Sequence, residues 1–194
     1  MDTQFLAQYS ELEHGNVLMK KLPFLKLAIF DVDGVLTDGG LYFDGNGEMI
    51  KRFNVKDGVA LKLLPQWGVD VAVITAKDSA PLRKRMSDLG IKHVYYGCHD
   101  KAAAFDDLMK TLTLEPEQVA YVGDDVIDLQ VMPKIGVSLC PNDAHILLQR
   151  HCDICLHKTG GQGVAREVAD LILATRMDLE AAYELAKRPE FEKK

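Results

Sequence analysis

Basic residues are in the minority: Lys and Arg number 23 against 29 Asp and Glu, a net charge of −6 at pH 7. That balance argues against a dedicated nucleic-acid binder, which carries a basic patch or a high pI. It leaves room for an anionic substrate, because a metal ion and a few local cations reverse the sign of a single pocket. Long apolar runs are missing as well. The longest candidates, Leu27–Phe30 and Val69–Ile74, are strand-sized and far short of a membrane span. The opening residues Met1-Asp2-Thr3-Gln4 have neither a basic nor an apolar stretch, so no secretory signal is expected. Cysteine is scarce: Cys98, Cys140, Cys152 and Cys155 are too few for a disulfide framework, and a reducing, cytoplasmic setting is the expectation. Internal repeats and low-complexity tracts are also lacking.

What is present suits a globular α/β protein. The chain of 194 residues is 47% hydrophobic and 27% charged, enough to bury a core, and its length predicts one domain over 1–194. Leu25–Phe30 reads as a buried strand, and the theme recurs at 69–74, 93–96, 118–122, 135–139 and 153–156. Helical patterns lie near 57–66, 79–89, 100–112, 125–133, 143–149 and 163–174, with a looser one over 5–19 that Pro23 ends. Strand and helix alternate, which predicts a doubly wound parallel sheet covered on both faces.

One segment breaks the alternation. Over about 40–53, Asp44-Gly45-Asn46-Gly47-Glu48 separates two strand-like runs and predicts a projecting β-hairpin. It is read either as a surface flap or as a small lid or oligomer contact, since an isolated hairpin is marginal without a packing partner. In the tail, about 159–194, the glycine-rich Thr159-Gly160-Gly161-Gln162-Gly163 precedes a helix and reads equally as a hinge or as a mobile lid. A further helix is expected at Leu179–Leu185, and Arg188–Lys194 reads as a frayed end.

The strongest chemical signal is Asp31-Val32-Asp33-Gly34-Val35-Leu36-Thr37-Asp38, directly after an apolar strand. In a parallel sheet, ligands bind beyond the C-terminal ends of the strands. Two carboxylates spaced i, i+2 there can share a cation and divide the work, Asp31 as nucleophile and Asp33 as general acid and then base. The second signal is Gly123-Asp124-Asp125-Val126-Ile127-Asp128, again after a strand. Its crowded carboxylates call for a hard cation, for which magnesium is the natural choice. Asp125 is also read as a simple helix cap. Thr75, at a strand end, either caps a helix or donates to a phosphoryl oxygen. Lys101, leading a helix, is either solvated or neutralises a phosphoryl group. A lone Cys152-Asp153-Ile154-Cys155 flanked by His151 and His157 reads as half-buried strand cysteines rather than a zinc site.

The ordered set of strand-Asp-x-Asp-Gly, strand-Thr, Lys and strand-Gly-Asp-Asp-x-x-Asp resembles the haloacid dehalogenase superfamily of phosphotransferases. By that resemblance Asp31 forms an aspartyl-phosphate, and Asp33 protonates the leaving alkoxide and then activates water. Asp31, the backbone carbonyl of Asp33, and Asp124 hold Mg²⁺, supported by the acids Asp125 and Asp128, while Thr75 and Lys101 position and neutralise the phosphoryl oxygens. The intervals Thr37 to Thr75 and Thr75 to Lys101 are too short for the inserted caps of that superfamily, so no cap domain is expected.

The hairpin, Phe53-Asn54-Val55-Lys56-Asp57-Gly58, and Gly160-Gly161-Gln162-Gly163-Val164-Ala165-Arg166-Glu167-Val168 narrow the likeness. From about residue 20 to residue 175 the chain is similar to the 3-deoxy-D-manno-octulosonate 8-phosphate (Kdo 8-phosphate) phosphatase family. The resemblance implies hydrolysis of Kdo 8-phosphate to Kdo and phosphate, a cytoplasmic step toward lipopolysaccharide. It also implies a homotetramer built through the hairpins, with a C-terminal tail that can reach a neighbour's site. Implied substrate contacts are Asp33, Asn54, Val55, Lys56, Asp57, Gly58, Lys77, Arg85 and Lys101, with Gly58 allowing close backbone approach. One departure from the family matters: the chain carries Ala76-Lys77 where Gly-Arg is usual. Two alternatives stay open: a phosphatase for another sugar-acid phosphate or for sugar phosphates broadly, and a non-catalytic phospho-receiver. The latter is disfavoured because Asp31 and Asp33 share one strand end.

Overall fold

The computed structural model describes residues 1–9, 20–45 and 49–191. Six strands form one parallel sheet: β1 (Leu27–Phe30), β4 (Asp70–Ile74), β5 (His93–Tyr95), β6 (Val119–Val122), β7 (Val137–Cys140) and β8 (Ile154–Cys155). Their spatial order is β5-β4-β1-β6-β7-β8. The helices are α1 (Thr3–Leu6), α2 (Val55–Leu63), α3 (Ala80–Leu89), α4 (Lys101–Leu112), α5 (Ile146–His151), α6 (Val164–Arg176) and α7 (Leu179–Tyr183). A separate antiparallel ribbon pairs β2 (Tyr42–Phe43) with β3 (Met49–Ile50).

The central strands are apolar at every position because both faces are covered. Leu27 and Ile29 point to one side and pack with Ala72, Ile74 and Tyr121 against Phe105 and Leu108 of α4. Ala28 and Phe30 point to the other, joining Val71, Val73 and Val122 against α2, α3 and α6. The doubly wound sheet is therefore as the alternation predicts. Among the described residues, the hairpin, α2 and a 3₁₀ turn at Leu64–Trp67 separate β1 from β4, and α3 and β5 separate β4 from α4. Among the described residues there is no cap domain, and no helix is long and apolar enough to cross a membrane.

Three local expectations change. The stretch near 125–133 is two short 3₁₀ turns, Val126–Gln130 and Met132–Lys134, rather than an α-helix. Pro133 lacks an amide hydrogen, and Asp128 folds back onto the amides of Asp124 and Asp125, tightening the first turn. The N-terminal pattern forms α1 and a 3₁₀ turn at Ala7–Tyr9, while 10–19 lie outside the described residues, as do the hairpin-tip residues 46–48. The end expected to fray folds as far as Phe191, which packs with Trp67 against Leu63, Leu173 and Ala182. The Trp67 indole N–H donates to Ala182 O at 3.1 Å, fixing that contact.

Helix α6 is the main support of one sheet face, with Val168, Leu171 and Ile172 fully buried. Replacing Leu171 by Ala is expected to cost about 2–5 kcal/mol through lost burial and an unfilled cavity. Urea denaturation checks this; a loss below about 1 kcal/mol would show that α6 packs loosely.

Candidate active site

The strand order β4-β1-β6 decides what meets at the top of the sheet. β1 pairs in register with both neighbours, Phe30 opposite Val73 on one side and Val122 on the other. Thr75, Asp31 and Asp124 follow those three strands, so they emerge side by side at one edge. The Asp31 carboxylate accepts from Val32 N at 2.7 Å and lies 2.8 Å from Lys101 Nζ. Asp100 caps α4 by accepting from Ala103 N at 2.9 Å, which makes Lys101 the first helical residue. Lys101 is wholly buried, not solvated, and also reaches Asp128 Oδ1 at 2.6 Å. Burial alone would lower its pKa, but Asp31 and Asp128 outweigh that and hold it above the usual lysine value.

Asp128 is the hub. One oxygen takes Lys101 and the Tyr121 hydroxyl, at 2.6 and 2.7 Å. The other takes the amides of Asp124 and Asp125, at 3.0 and 3.2 Å. Asp125 itself is exposed and caps the 3₁₀ turn, so the capping reading describes its side chain. Asp124 is seated by Gly34: a Cβ there would lie 2.0 Å from Asp124 Oδ2, and φ of +84° is itself hostile to other residues.

Asp31, Asp124 and Asp128 place carboxylate oxygens within 4.8 Å of one another. Once all three are ionised, the Lys101 ammonium leaves two negative charges uncompensated, the charge a divalent cation brings. Burial first, then the Asp31 and Asp128 charges, push the Asp124 carboxyl up to about 8. Burial pushes Asp31 up to about 6 despite the counteracting Lys101. No hydrogen bond to the Asp124 carboxylate occurs among the described residues. The donor set therefore fits a hard, oxygen-binding ion such as Mg²⁺. Asp128 belongs to the cluster, but its oxygens are already used by four donors. The Asp33 side chain does not belong to it, so any contribution of Asp33 to an ion falls to its backbone carbonyl.

The Asp33 carboxylate instead meets Lys51, a residue outside all the sequence motifs. Thr37 Oγ1 approaches the same oxygen at 3.4 Å. The signal for Lys51 was faint. Ile50 and Arg52 point outward and are exposed, so alternation turns Lys51 inward, where lysine is seldom expected.

Thr75 is buried at the end of β4, and α3 begins with Ser79 at its cap position, so Thr75 is not a helix cap. Lys77 is exposed, with no side-chain partner among the described residues, and Val55 and Lys56 are exposed as well. Asn54 caps α2 through Lys56 N at 3.0 Å and donates to Gly161 O at 3.2 Å. Two expected substrate contacts also have partners within the chain. The Asp57 side chain is buried and accepts from Arg166 N at 3.0 Å, serving as the cap that α6 lacks at Gly163. Burial pushes its carboxyl up to about 6 against the pull of the Arg166 and Ala165 amides. At Gly58 the close approach is made by Arg85, whose Nη2 would lie 2.5 Å from a Cβ there.

The glycine-rich loop is tied down within the chain. Gly161 N donates to Val35 O at 3.0 Å and Gly160 N to Asp143 Oδ1 at 2.9 Å, clamping the loop to the turn after β1. Glu167 accepts from His157 N and Lys158 N, at 2.8 and 2.9 Å, and holds the preceding residues. Cys155 lies in β8, whereas Cys152 ends α5 rather than lying in the strand; both are free thiols, and Cys152 Sγ lies 3.2 Å from Cys140 Sγ. A cavity of about 720 Å³ opens at the far end of the sheet, between Asp70, His93, Leu185 and Phe191. It is remote from the carboxylates, which occupy the open, C-terminal edge.

A parallel sheet with paired Asp at one strand end, acids at the next, and a Thr and Lys between defines a haloacid dehalogenase-like hydrolase. A family model of that description matches residues 87–168. The chain is 44% identical over 165 residues to 3-deoxy-D-manno-octulosonate 8-phosphate phosphatase KdsC of Salmonella typhi, covering 85% of this chain and 88% of that protein. It superposes on the phosphatase of that name from Yersinia pestis with a TM-score of 0.83 and 42% identity, over 85% of this chain and 89% of that one. The Moraxella catarrhalis phosphatase, solved with magnesium, phosphate and KDO, gives a TM-score of 0.83 at 36% identity, over 87% and 97%. The chain belongs to the 3-deoxy-D-manno-octulosonate 8-phosphate phosphatase family.

The raised carboxyls predict proton-linked metal binding. At about pH 7 Asp124 retains its proton without metal, so Mg²⁺ binding releases on the order of one proton and its affinity rises with pH. Folded carboxyls that hold protons longer than unfolded ones also make the metal-free protein less stable as pH rises from about 4 to about 8. Calorimetry in buffers of different ionisation enthalpy reads the proton count; no buffer dependence at neutral pH would contradict the Asp124 assignment.

Proposed function

We propose that this chain hydrolyses 3-deoxy-D-manno-octulosonate 8-phosphate to the free sugar acid and inorganic phosphate, with Mg²⁺ as cofactor. The observation that carries the reading is the Asp31 carboxylate held 2.8 Å from buried Lys101 beside Asp124, with Asp33 two residues away. Asp31 attacks phosphorus; an oxygen–phosphorus bond forms as the bond to the sugar oxygen breaks. Asp33 gives its proton to the departing alkoxide. It then takes a proton from water, whose oxygen attacks phosphorus and releases Asp31 and inorganic phosphate. Held by Asp31, Asp124 and the Asp33 carbonyl, Mg²⁺ supplies the positive charge that lets a phosphate dianion approach two carboxylates. Lys101 orients Asp31 and offsets charge on the phosphoryl oxygens, and the buried Thr75 hydroxyl donates to one of them.

Outside the phosphoryl site, Lys56, Lys77 and Arg85 are the cations offered to the sugar-acid carboxylate, with the backbone from Asn54 to Gly58 alongside. Hairpin-mediated homotetramer assembly is supported by exposed apolar side chains on the ribbon: Leu41, Tyr42, Phe43 and Ile50, the last two 65% and 63% exposed. Four free thiols suit a cytoplasmic setting.

Phosphate release with Mg²⁺, compared across Kdo 8-phosphate, hexose and pentose phosphates and a nine-carbon sugar-acid phosphate, tests the substrate. The expected result is a kcat/KM favouring Kdo 8-phosphate; a preference for another member moves the substrate and keeps the chemistry. Asp31→Asn is expected to lower turnover by at least about 10³-fold while the melting curve stays cooperative; full activity would remove the nucleophile assignment. Lys77→Arg restores a forked donor and is expected to lower KM for the sugar acid about two- to fivefold. An unchanged KM would take Lys77 out of substrate binding.

A further inference from the structure

Two lysines have side chains with no solvent exposure beside the paired acids: Lys101 against Asp31, and Lys51 against Asp33. Only the first belongs to a motif. We propose that Lys51 is a positioning residue that sets the Asp33 carboxyl for proton transfer to the leaving alkoxide. This rests on the reading of Asp33 as that acid.

The argument begins with the two oxygens of Asp33, which are not equivalent. Oδ1 is held from two sides, by the Lys51 ammonium and by Thr37 Oγ1 at 3.4 Å. Oδ2 is buried and has no hydrogen-bond partner. An acid that must deliver a proton along one line needs one oxygen fixed and the other free, and this is such an arrangement. Without a partner on Oδ1, the carboxyl would rotate about its terminal torsion, which is broad and roughly two-fold.

The burial of Lys51 points the same way. Taking an ammonium out of water is expensive, and an apolar side chain would anchor the hairpin base at lower cost. What an apolar side chain cannot do is hold a carboxylate oxygen. Lys51 also directly follows β3, whereas Asp33 belongs to the turn after β1, 18 residues earlier. The alignment of the acid thus depends on where the hairpin sits.

In the step concerned, the P–O bond to the sugar oxygen breaks as Asp31 bonds to phosphorus. The alkoxide takes the proton from Asp33, which is left as a carboxylate paired with Lys51. The consequence is specific to the leaving group. A sugar alkoxide needs the proton; p-nitrophenolate, a far weaker base, leaves without it.

The test measures leaving-group release in single turnover, enzyme in excess, with Mg²⁺, on Kdo 8-phosphate and on p-nitrophenyl phosphate. Lys51→Met is expected to slow the sugar phosphate about tenfold to a hundredfold, part of what a general acid supplies, and the aryl phosphate less than about threefold. Equal loss on both substrates, or none on either, overturns the proposal, because a merely structural role would not discriminate leaving groups. Asp33→Asn is run alongside. If it slows both substrates equally, the reading of Asp33 as acid fails; if it discriminates and Lys51→Met does not, only the Lys51 proposal fails. Thermal melting verifies folding, and Lys51→Leu, which likewise lacks a donor and carries the same expected discrimination, replaces Lys51→Met should that variant not melt cooperatively.

Discussion

Three carboxylates leaning on one buried ammonium form the constraint around which this structure is arranged. Asp31, Asp124 and Asp128 converge within 4.8 Å, and among the described residues Lys101 is the cation paired with them, through Asp31 and Asp128. A fold selected for stability alone would neutralise or disperse such charge. Here the surroundings do the opposite. Gly34 clears the volume for Asp124, and Tyr121 and two backbone amides saturate Asp128 so that it cannot swing away. Asp100 fixes the helix turn that delivers Lys101. The carboxyl groups are thus held in place before any cation or substrate arrives, and preorganisation of that kind removes reorganisation from the reaction itself.

The sheet makes this possible through order more than through sequence distance. β1, β4 and β6 are far apart in the chain but adjacent and in register, so residues just beyond their ends share an edge. That is why the paired acids, the Thr and the second acid cluster were legible: each directly follows an apolar run that periodicity locates, and a parallel sheet collects such positions. Lys101 was legible as a member of the set but not as a buried group, because a lysine opening a helix is ordinarily solvated.

What was not legible depends on long-range contact. Asp57 sits in a segment rich in candidate ligands, yet its carboxylate serves α6, through an amide 109 residues away. Gly58 admits an arginine from the neighbouring helix. Asn54 spends its amide on Gly161, 107 residues on. In each case the residue type agrees with a binding role and with a packing role, and the packing partner becomes visible only in the tertiary structure. Lys51 is the reverse case. Its identity suggested a solvated strand residue, and its burial became apparent only with the hairpin base seated over the turn after β1.

The same contacts decide what can close an active site that has no cap. The glycine-rich loop is clamped to the turn after β1, and α6, which it leads into, is buried in the core. From there the chain turns back on itself: Tyr183 packs under Arg166 at 4.9 Å, and Leu185 and Phe191 run to the sheet end remote from the carboxylates. Up to Phe191 the tail therefore leads away from its own site and is no lid for it. The hairpin near the acids is a two-stranded ribbon too small to be stable alone, with apolar side chains facing outward and Lys51 at its base. A partner that covers those side chains would also fix the hairpin base, and with it the orientation of Asp33. In a capless enzyme, covering the hairpin and aligning the acid would then be one event.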